Sequence, residues 1–233
     1  KKYFLKMKDT IPSSIARKAA AVSALLEHLN IQQVDIVGNS QGAAVATGFA
    51  GAHPEIAQRL VLDGPAGLIG KDSMIGLLSR VTEDALVQKG ERTIHKNLIH
   101  PELQEYDDDV WKKYHKKLKK HILWRATKEI PDVVKTDLRP ALRRIKINRE
   151  QDGVGPEIVL FNAYSDVIIP QDKVEQTLGA DPFEFIDRWA MYADPTKGHS
   201  KYTQPKPGDN PKIYFDSHIS ALHQFFSQDS GVK

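Results

Sequence analysis

The sequence predicts an α/β fold in which a mostly parallel sheet is flanked by helices and interrupted by a long helical stretch. Apolar strands at residues 34–37, 59–63, 157–163 and 183–192 alternate with stretches of helical periodicity. Residues 34–45 run from a short apolar strand through a tight turn into a helix of small side chains. Strands that alternate with helices favour a parallel sheet, because each parallel connection needs a long crossover.

The composition is that of an ordinary soluble globular protein. The 233 residues suffice for one substantial core, and 40% of them are hydrophobic and 27% charged. The net charge of +3 is mild and no segment has the length of a membrane span, so we expect neither nucleic acid nor membrane as a partner. The absence of cysteine excludes a thiol nucleophile and a disulfide framework, and it suits a reducing, cytoplasmic location.

A first amphipathic helix precedes the strand at residues 34–37. Its apolar residues recur at steps of four and three, which places them on one helical face. They are Ile15, Ala19, Val22, Leu26 and Leu29. A serine at position 13 or 14 can cap the start of this helix, which we expect to end near residue 30.

The turn after this strand spells G-x-S-x-G at residues 38–42. A serine hydroxyl is a weak nucleophile at neutral pH, so it needs exposure, a base and donors for the developing oxyanion. A tight strand-to-helix turn supplies the exposure, and we expect Gly38 and Gly42 where a Cβ would collide with the neighbouring strand or helix. The following helix directs its first N–H groups toward the turn. This context predicts that Ser40 is a nucleophile rather than an incidental exposed serine.

A long helical stretch is predicted between two parts of the core. Residues 1–67 form the first part, residues 68–147 the helical stretch and residues 148–233 the second part. The most basic run of the helical stretch covers residues 111–120. We expect this run to be a solvated helix face, and the alternative is a surface for acidic lipid or nucleic acid.

The second part of the core is predicted to begin with a polar loop at residues 148–156. A buried strand at residues 157–163 leads into Tyr164-Ser165-Asp166. A helix at residues 171–178 is expected to stop at Gly179, and the last strand is expected at residues 183–192. A loop that contains His199 follows this strand and precedes a closing helix.

From about Ile15 to Phe226 the chain resembles the α/β-hydrolase fold family. Four segments carry the resemblance in the order of that family's landmarks: LLEHLNIQQVDIVGNSQGAA, RLVLDGPAG, EIVLFNAYSDVIIP and a late GHS. The chain is most similar to the sub-group of small esterases and of carbon–carbon hydrolases of aromatic-ring degradation. In that sub-group an asparagine often precedes the serine, as Asn39 does here.

The resemblance implies that the helical stretch at residues 68–147 is a helical cap that covers the serine. It also implies a catalytic triad in the chain order serine, acid, histidine. Ser40 is the implied nucleophile, Asp166 the implied acid and His199 the implied base. Asp63, at the end of an earlier strand, is the alternative acid. The backbone N–H of Gln41 is the implied oxyanion donor, because this residue follows the nucleophile.

These residues predict two-step acyl transfer on a small-molecule ester or ketone, with no metal and no organic cofactor. A carboxylesterase for small, fairly apolar esters is the first hypothesis. Cleavage of a carbon–carbon bond in a vinylogous diketone acid is the alternative, although Ser200 follows the base where that sub-group usually has Trp. A binding or partner-dependent module without catalysis is the hypothesis from another class. His218 and His223 compete with His199 as bases, and we expect neither of them to reach the turn.

The resemblance covers only the later part of the family's fold. In the family, several strands precede the first helix, and one of their loops supplies a second oxyanion N–H, often from a His-Gly stretch. This sequence contains no His-Gly dipeptide. We therefore expect that the chain is a fragment, lacking an N-terminal segment, or that a second chain, as in a homo-oligomer, supplies the strands. The outer edge of the strand at residues 34–37 is then either paired from elsewhere or left unpaired.

Overall fold

Four parallel strands form the sheet on which the described structure is built. The structure is a computed structural model and describes residues 11–70, 72–83, 130–163 and 166–192. Within these residues the strands lie side by side in chain order, and each neighbouring pair is parallel. They are β1 (Val34–Asn39), β2 (Ala57–Asp63), β3 (Glu157–Ala163) and β4 (Arg188–Tyr192). The predicted α/β class with a parallel sheet is confirmed.

Helices flank this sheet, and those at residues 13–28 and 171–178 lie where the sequence predicts them. They are α1 (Ser13–His28), α2 (Gln41–Ala52), α3 (Ile130–Lys135), α4 (Arg139–Asp152) and α5 (Gln171–Leu178), and residues 74–83 are also helical. The observed β3 and α5 have the predicted bounds, and Gly179 at the end of α5 has a φ of 77°. None of the helices in the described ranges is long and apolar enough to cross a membrane.

The α2 helix occupies the centre of the packing. It contacts α1, α4, β1 and β2, and most of its residues are buried. Its side chains are small apart from Phe49, which is fully buried in the core. Small side chains let a helix approach the sheet closely, so the segment that follows Ser40 is held tightly against β1 and β2.

The polar loop predicted at residues 148–156 is wrong over its first half. The α4 helix continues through Asp152, and Gly153 ends it in the left-handed conformation with a φ of 69°. Arg149 lies inside the helix, and its guanidinium donates to the carbonyl oxygen of Pro156 and to the carboxylate of Asp187. The polar residue Arg149 thus packs the helix against its neighbours. The sequence predicted a loop because these residues are polar.

The strand predicted at residues 183–192 is wrong for its first five residues. Pro182–Glu184 forms one turn of 3₁₀ helix, which the Asp181 side chain caps by accepting from the N–H of Phe183. Phe183 is 53% exposed, so the apolar alternation that begins at this residue does not mark a buried face. The strand itself starts at Arg188.

The start of α1 also differs from the prediction. Pro12 precedes the first helical residue, and no side chain caps the helix there. The hydroxyl of Ser14 donates instead to the Asp132 carboxylate on α3. A residue type that often caps a helix therefore serves here to join two helices.

In the described part of the sheet, β1 pairs with β2 on one side and has no second strand neighbour. Val37 on β1 is 44% exposed. The predicted source of further strands stays a prediction, as does the division at residues 67 and 147. The basic run at residues 111–120 and the closing helix lie outside the described residues.

Candidate active site

Ser40 occupies a strained turn between β1 and α2. Its φ of 54° and ψ of −122° are unusual for a residue with a side chain. The Ser40 N–H donates to the carbonyl oxygen of Asp63 at 3.0 Å. The Ser40 carbonyl oxygen accepts from the N–H groups of Ala43 and Ala66, both at 3.1 Å. Three backbone hydrogen bonds thus hold the strained conformation, as expected where strain serves a site.

The two glycines of the G-x-S-x-G motif have different roles. A Cβ at Gly38 would lie 2.6 Å from the carbonyl oxygen of Gly42 and 2.7 Å from the Cα of Ala43. These are backbone atoms, so a side chain at position 38 cannot be accommodated by rotation of a neighbour. Nothing lies within 4 Å of a Cβ built at Gly42. The expected collision is therefore present at Gly38 and absent at Gly42.

Gln41 is the first residue of α2, as its predicted role requires. The first N–H groups of a helix have no acceptor within the helix and carry partial positive charge. The Gln41 side chain turns to α1, where its Oε1 accepts from the Nζ of Lys18 at 2.6 Å. The side chain is thus engaged elsewhere, and the backbone N–H is the group of Gln41 that suits an oxyanion.

Asp63 ends β2 beside the turn, and it is 3% exposed. The Asn39 side-chain amide donates to its Oδ2 at 3.1 Å and to its carbonyl oxygen at 3.3 Å. With the hydrogen bond from Ser40 N–H, these contacts tie the end of β1 to the end of β2. Asp63, the alternative acid, therefore helps to hold the turn that carries Ser40 in place.

Asp166 follows the end of β3 by three residues and is also 3% exposed. Its Oδ1 accepts from the backbone N–H groups of Ile168 at 2.9 Å and Ile169 at 2.8 Å. The ends of β1 and β3 lie two strand spacings apart, about 10 Å, because β2 lies between them. Asp166 and Ser40 therefore share the carboxyl edge of the sheet, which is where open parallel sheets bind ligands.

The predicted base lies outside the described residues, as do His218 and His223. The described chain ends at Tyr192, the last residue of β4, so β4 also runs toward the edge that carries Ser40 and Asp166. The contacts of His199 with either residue remain a prediction.

The segment after Asp63 was predicted only as a turn, yet residues 64–69 are all buried. The N–H of Ala66 donates to the Ser40 carbonyl oxygen. The N–H of Gly64 donates to the Phe161 carbonyl oxygen at 2.9 Å. The carbonyl oxygen of Gly67 accepts from the N–H of Leu138 at 3.0 Å. The sequence signal was the run GPAGLIG, which has no charged residue. This buried loop therefore stabilises the Ser40 turn through the hydrogen bond from Ala66.

In the four described ranges, no group of three or more His, Cys, Asp or Glu side chains is arranged to hold a metal ion. The residues that meet at the carboxyl edge of the sheet offer a serine hydroxyl, a helix N-terminus and two buried carboxylates. This set suits nucleophilic attack on a carbonyl group once a base is supplied.

Comparison with known proteins agrees with this geometry. A 2-hydroxy-6-oxo-6-phenylhexa-2,4-dienoate hydrolase of Comamonas testosteroni is 44% identical over 50 residues, which cover 22% of this chain and 18% of that relative. The match thus spans less than a fifth of the relative's length.

Two solved structures share the fold at low sequence identity. An alpha/beta hydrolase enzyme from a Medee basin deep-sea metagenome library has a TM-score of 0.52 and 19% identity over 88% of this chain and 70% of its own. A meta-cleavage product hydrolase from Pseudomonas fluorescens IP01 has a TM-score of 0.51 and 14% identity over 89% of this chain and 70% of its own. The family model of the alpha/beta hydrolase fold matches residues 13–174. The chain belongs to the alpha/beta hydrolase fold family.

Proposed function

We propose that the protein is a serine hydrolase in which Ser40 attacks a carbonyl carbon, His199 is the base and Asp166 orients that base. The observation that carries this proposal is the conformation of Ser40. A residue with a side chain is held at a φ of 54° by three backbone hydrogen bonds, at the carboxyl edge of the sheet. Such strain is retained where it serves a site, because it opposes folding.

The proposed reaction has two steps. The Ser40 Oγ forms a bond to the carbonyl carbon while its proton passes to the base. The negative charge on the carbonyl oxygen faces the N–H of Gln41, and the leaving group departs with the proton from the base. Water then attacks the acyl carbon by the same route, its proton goes to the base and then to Ser40, and the acid is released.

Asp166 is the better candidate for the acid than Asp63. Asp63 accepts from the side chain of Asn39, and its carbonyl oxygen accepts from Ser40, so it holds the turn together. Asp166 has one oxygen held by two backbone N–H groups, which fix the orientation of its carboxylate. A fixed carboxylate can orient an imidazole and stabilise the imidazolium that forms during attack.

Small carboxylic esters are the first proposed substrates. An ester needs only a nucleophile, a base and oxyanion donors, and the residues at this edge supply or imply each of them. A panel of p-nitrophenyl esters of increasing acyl length, assayed with the full-length protein, tests this part of the proposal. Hydrolysis that depends on Ser40 supports it.

Carbon–carbon bond cleavage is the second candidate. The Comamonas testosteroni relative, which is 44% identical over its matched segment, is named as a hydrolase of 2-hydroxy-6-oxo-6-phenylhexa-2,4-dienoate, a conjugated oxo acid. The leaving group would then be a carbon atom, which needs conjugation to bear the charge before it is protonated. The discriminating assay offers a ring meta-cleavage product beside the esters. Loss of its visible absorbance at a rate well above the ester rates would favour this candidate.

The nucleophile itself can be tested without knowing the substrate. A fluorophosphonate probe phosphonylates an activated serine, with loss of fluoride, and increases the intact mass by one adduct. We expect one adduct on the wild-type protein and none on Ser40→Ala, with unchanged circular dichroism. Ser23→Ala is the matched control, since that hydroxyl donates to the Ala19 carbonyl oxygen within α1 and should not alter labelling. A Ser40→Ala protein that is labelled as fast as the wild type would contradict the proposal and favour a binding module.

A further inference from the structure

Asp72 and Arg80 form an ion pair beside the turn that carries Asp166. The Asp72 side chain is 4% exposed and the Arg80 side chain 13%. Arg80 donates from both terminal nitrogens to the two carboxylate oxygens of Asp72. The N–H of Ser73 donates to Asp72 Oδ1 at 2.9 Å, and Lys173 Nζ on α5 lies 3.9 Å from the same oxygen. The carboxylate thus fixes the position of the guanidinium from several directions.

The third guanidinium nitrogen reaches a different segment of the chain. Arg80 Nε donates to the carbonyl oxygen of Ile168 at 3.0 Å, across a sequence separation of 88 residues. The N–H of the same Ile168 donates to Asp166 Oδ1. A continuous series of hydrogen bonds therefore runs from Asp72 through Arg80 and Ile168 to Asp166.

The chemistry of arginine explains why this residue suits the position. A guanidinium is planar and offers five N–H donors in a fixed arrangement, so one edge can bind a carboxylate while Nε binds a carbonyl oxygen. A lysine ammonium is a point charge on a flexible chain and cannot impose both directions at once. Burial raises the pKa of Asp72. The hydrogen bonds from Arg80 and Ser73, together with the charges of Arg80 and Lys173, lower this pKa by more than burial raises it, so it lies below its usual value. The carboxylate therefore stays ionised and keeps hold of Arg80.

We infer that Arg80, held by Asp72, is a positioning residue that fixes the turn at residues 166–169 and thereby the orientation of the Asp166 carboxylate. The inference rests on the role of Asp166 in the proposed function. Arg80 touches neither Ser40 nor Asp166 in the contacts described, so it acts through the backbone of Ile168. Small displacements of an orienting group reduce the rate of reaction more than they reduce binding.

The test compares Arg80→Met with Arg80→Lys in the full-length protein, on the best ester of the panel. We expect Arg80→Met to lower kcat about tenfold to a hundredfold with KM within about twofold, because ground-state contacts are preserved. A displaced carboxylate raises the pKa of the base less than an aligned one. The lower limb of the pH profile of kcat/KM should therefore move to lower pH by about half a unit to one unit. Arg80→Lys should show a smaller loss with the same direction of pH shift.

Arg59→Met is the matched control. Arg59 forms a bidentate pair with Asp35 across β1 and β2, near the opposite ends of those strands. It should leave kcat and the pH profile unchanged. Thermal unfolding of each variant shows that the protein tested is folded, and if Arg80→Met does not fold, Arg80→Lys decides.

Asp166→Asn distinguishes a failure of the proposed function, in which Asp166 is the acid, from a failure of the inference that Arg80 positions it. If it is inactive while folded Arg80→Met keeps the wild-type kcat and pH profile, the inference about Arg80 is overturned and the proposed function stands. If Asp166→Asn retains wild-type activity, the assignment of the acid fails, and the inference fails with it. A wild-type kcat for Arg80→Lys when Arg80→Met is unfolded likewise overturns the positioning role.

Discussion

Asp63 and Asp166, at the carboxyl end of the sheet, are held by different donors from Asp187 and Asp35 at the opposite end. At the carboxyl end, Asp63 accepts from the amide of Asn39, and Asp166 accepts from the N–H groups of Ile168 and Ile169. These donors are neutral amide and backbone N–H groups, and they fix where each carboxylate lies.

At the opposite end, cations hold the carboxylates. Arg149 donates two hydrogen bonds of 2.6 Å to Asp187, which also accepts from the N–H of Ile158. Burial raises the pKa of Asp187, but the hydrogen bonds from Arg149 and Ile158, with the charges of Arg149 and Lys146, bring it below the usual value. Asp35 and Arg59 form a similar pair on the first two strands.

The difference separates stabilisation from chemistry. A carboxylate paired with a guanidinium has its charge neutralised before any ligand arrives, which suits a permanent link between elements. A carboxylate that backbone or amide N–H groups orient is suited to stabilise a cation that forms only during a reaction. Changes at the carboxyl end should therefore lower activity, and changes at the other end should lower stability.

The largest expected effect sharpens that separation. Asp166→Asn and His199→Ala should each reduce the rate of ester hydrolysis by about a thousandfold or more, as for other triad disruptions. His218→Ala should remain active.

Asp187→Asn should keep its activity within about twofold and lower the free energy of unfolding by about 2 kcal/mol, because it loses a charge-assisted hydrogen bond. Kinetics and urea unfolding measure both, and an inactive but fully stable Asp187→Asn protein would break the comparison.

The next largest effect concerns the turn. Gly38→Ala places a Cβ against backbone atoms at 2.6 Å and 2.7 Å, so it should destabilise the protein by about 3 kcal/mol and abolish labelling of Ser40. Gly42→Ala is the matched control in the same motif, and it should be neutral or slightly stabilising, since alanine is the better helix former. Urea unfolding and probe labelling test the pair. Equal losses in the two variants would show that the motif is constrained by something other than this contact.

A smaller effect is expected at Asp63. Asp63→Asn keeps an oxygen that can accept from Asn39, so the turn should survive and the ester rate should fall by about tenfold or less. The same rate measurement ranks this variant against Asp166→Asn. A greater loss in Asp63→Asn would transfer the acid role to Asp63.

The smallest effect is in the pH dependence of stability. The pKa of Asp187 is lower in the folded state than in the unfolded chain, so its contribution is complete above the unfolded value of about 3.9 and is lost as the pH falls through the folded value. Urea unfolding from pH 7 to pH 2 should show stability falling below about pH 4. Asp187→Asn should reduce the slope of that fall. An unchanged slope would show that other carboxylates dominate the acid limb.

The sequence predicted the elements whose signals are local. The β3 strand is a continuous apolar run, α5 ends at a glycine, and the turn at Ser40 lies between an apolar strand and a helix of small residues. In each case the residues that determine the structure are close together in the chain. The placement of Ser40 and Asp166 at one edge followed from the position of each residue just after a strand of a mostly parallel sheet.

Two of the features that sequence reasoning missed depend on residues that are distant in the chain. Arg149 continues α4 past the predicted boundary, and its partner Asp187 lies 38 residues away. The contact between Arg80 and Ile168 leaves no periodic pattern, because a single guanidinium makes it. Asp181 breaks the predicted last strand by capping a short helix, a local signal that the apolar alternation obscured. Long-range polar contacts of this kind are visible only once the fold is known.

The pairing of β2 with β3 has a consequence for how this chain tolerates change. The two strands are neighbours in the sheet, yet about 90 residues separate them in the chain, and the entropy of closing such a loop grows only with the logarithm of its length. Halving or doubling the connection would alter the stability of the sheet by only about 0.6 kcal/mol through that term. Through loop closure alone, a change in the length of this connection therefore costs little, provided that the buried residues 64–69 and α4 keep their packing in the core. The contiguous elements β1, α2 and β2 can assemble before the distant pairing forms.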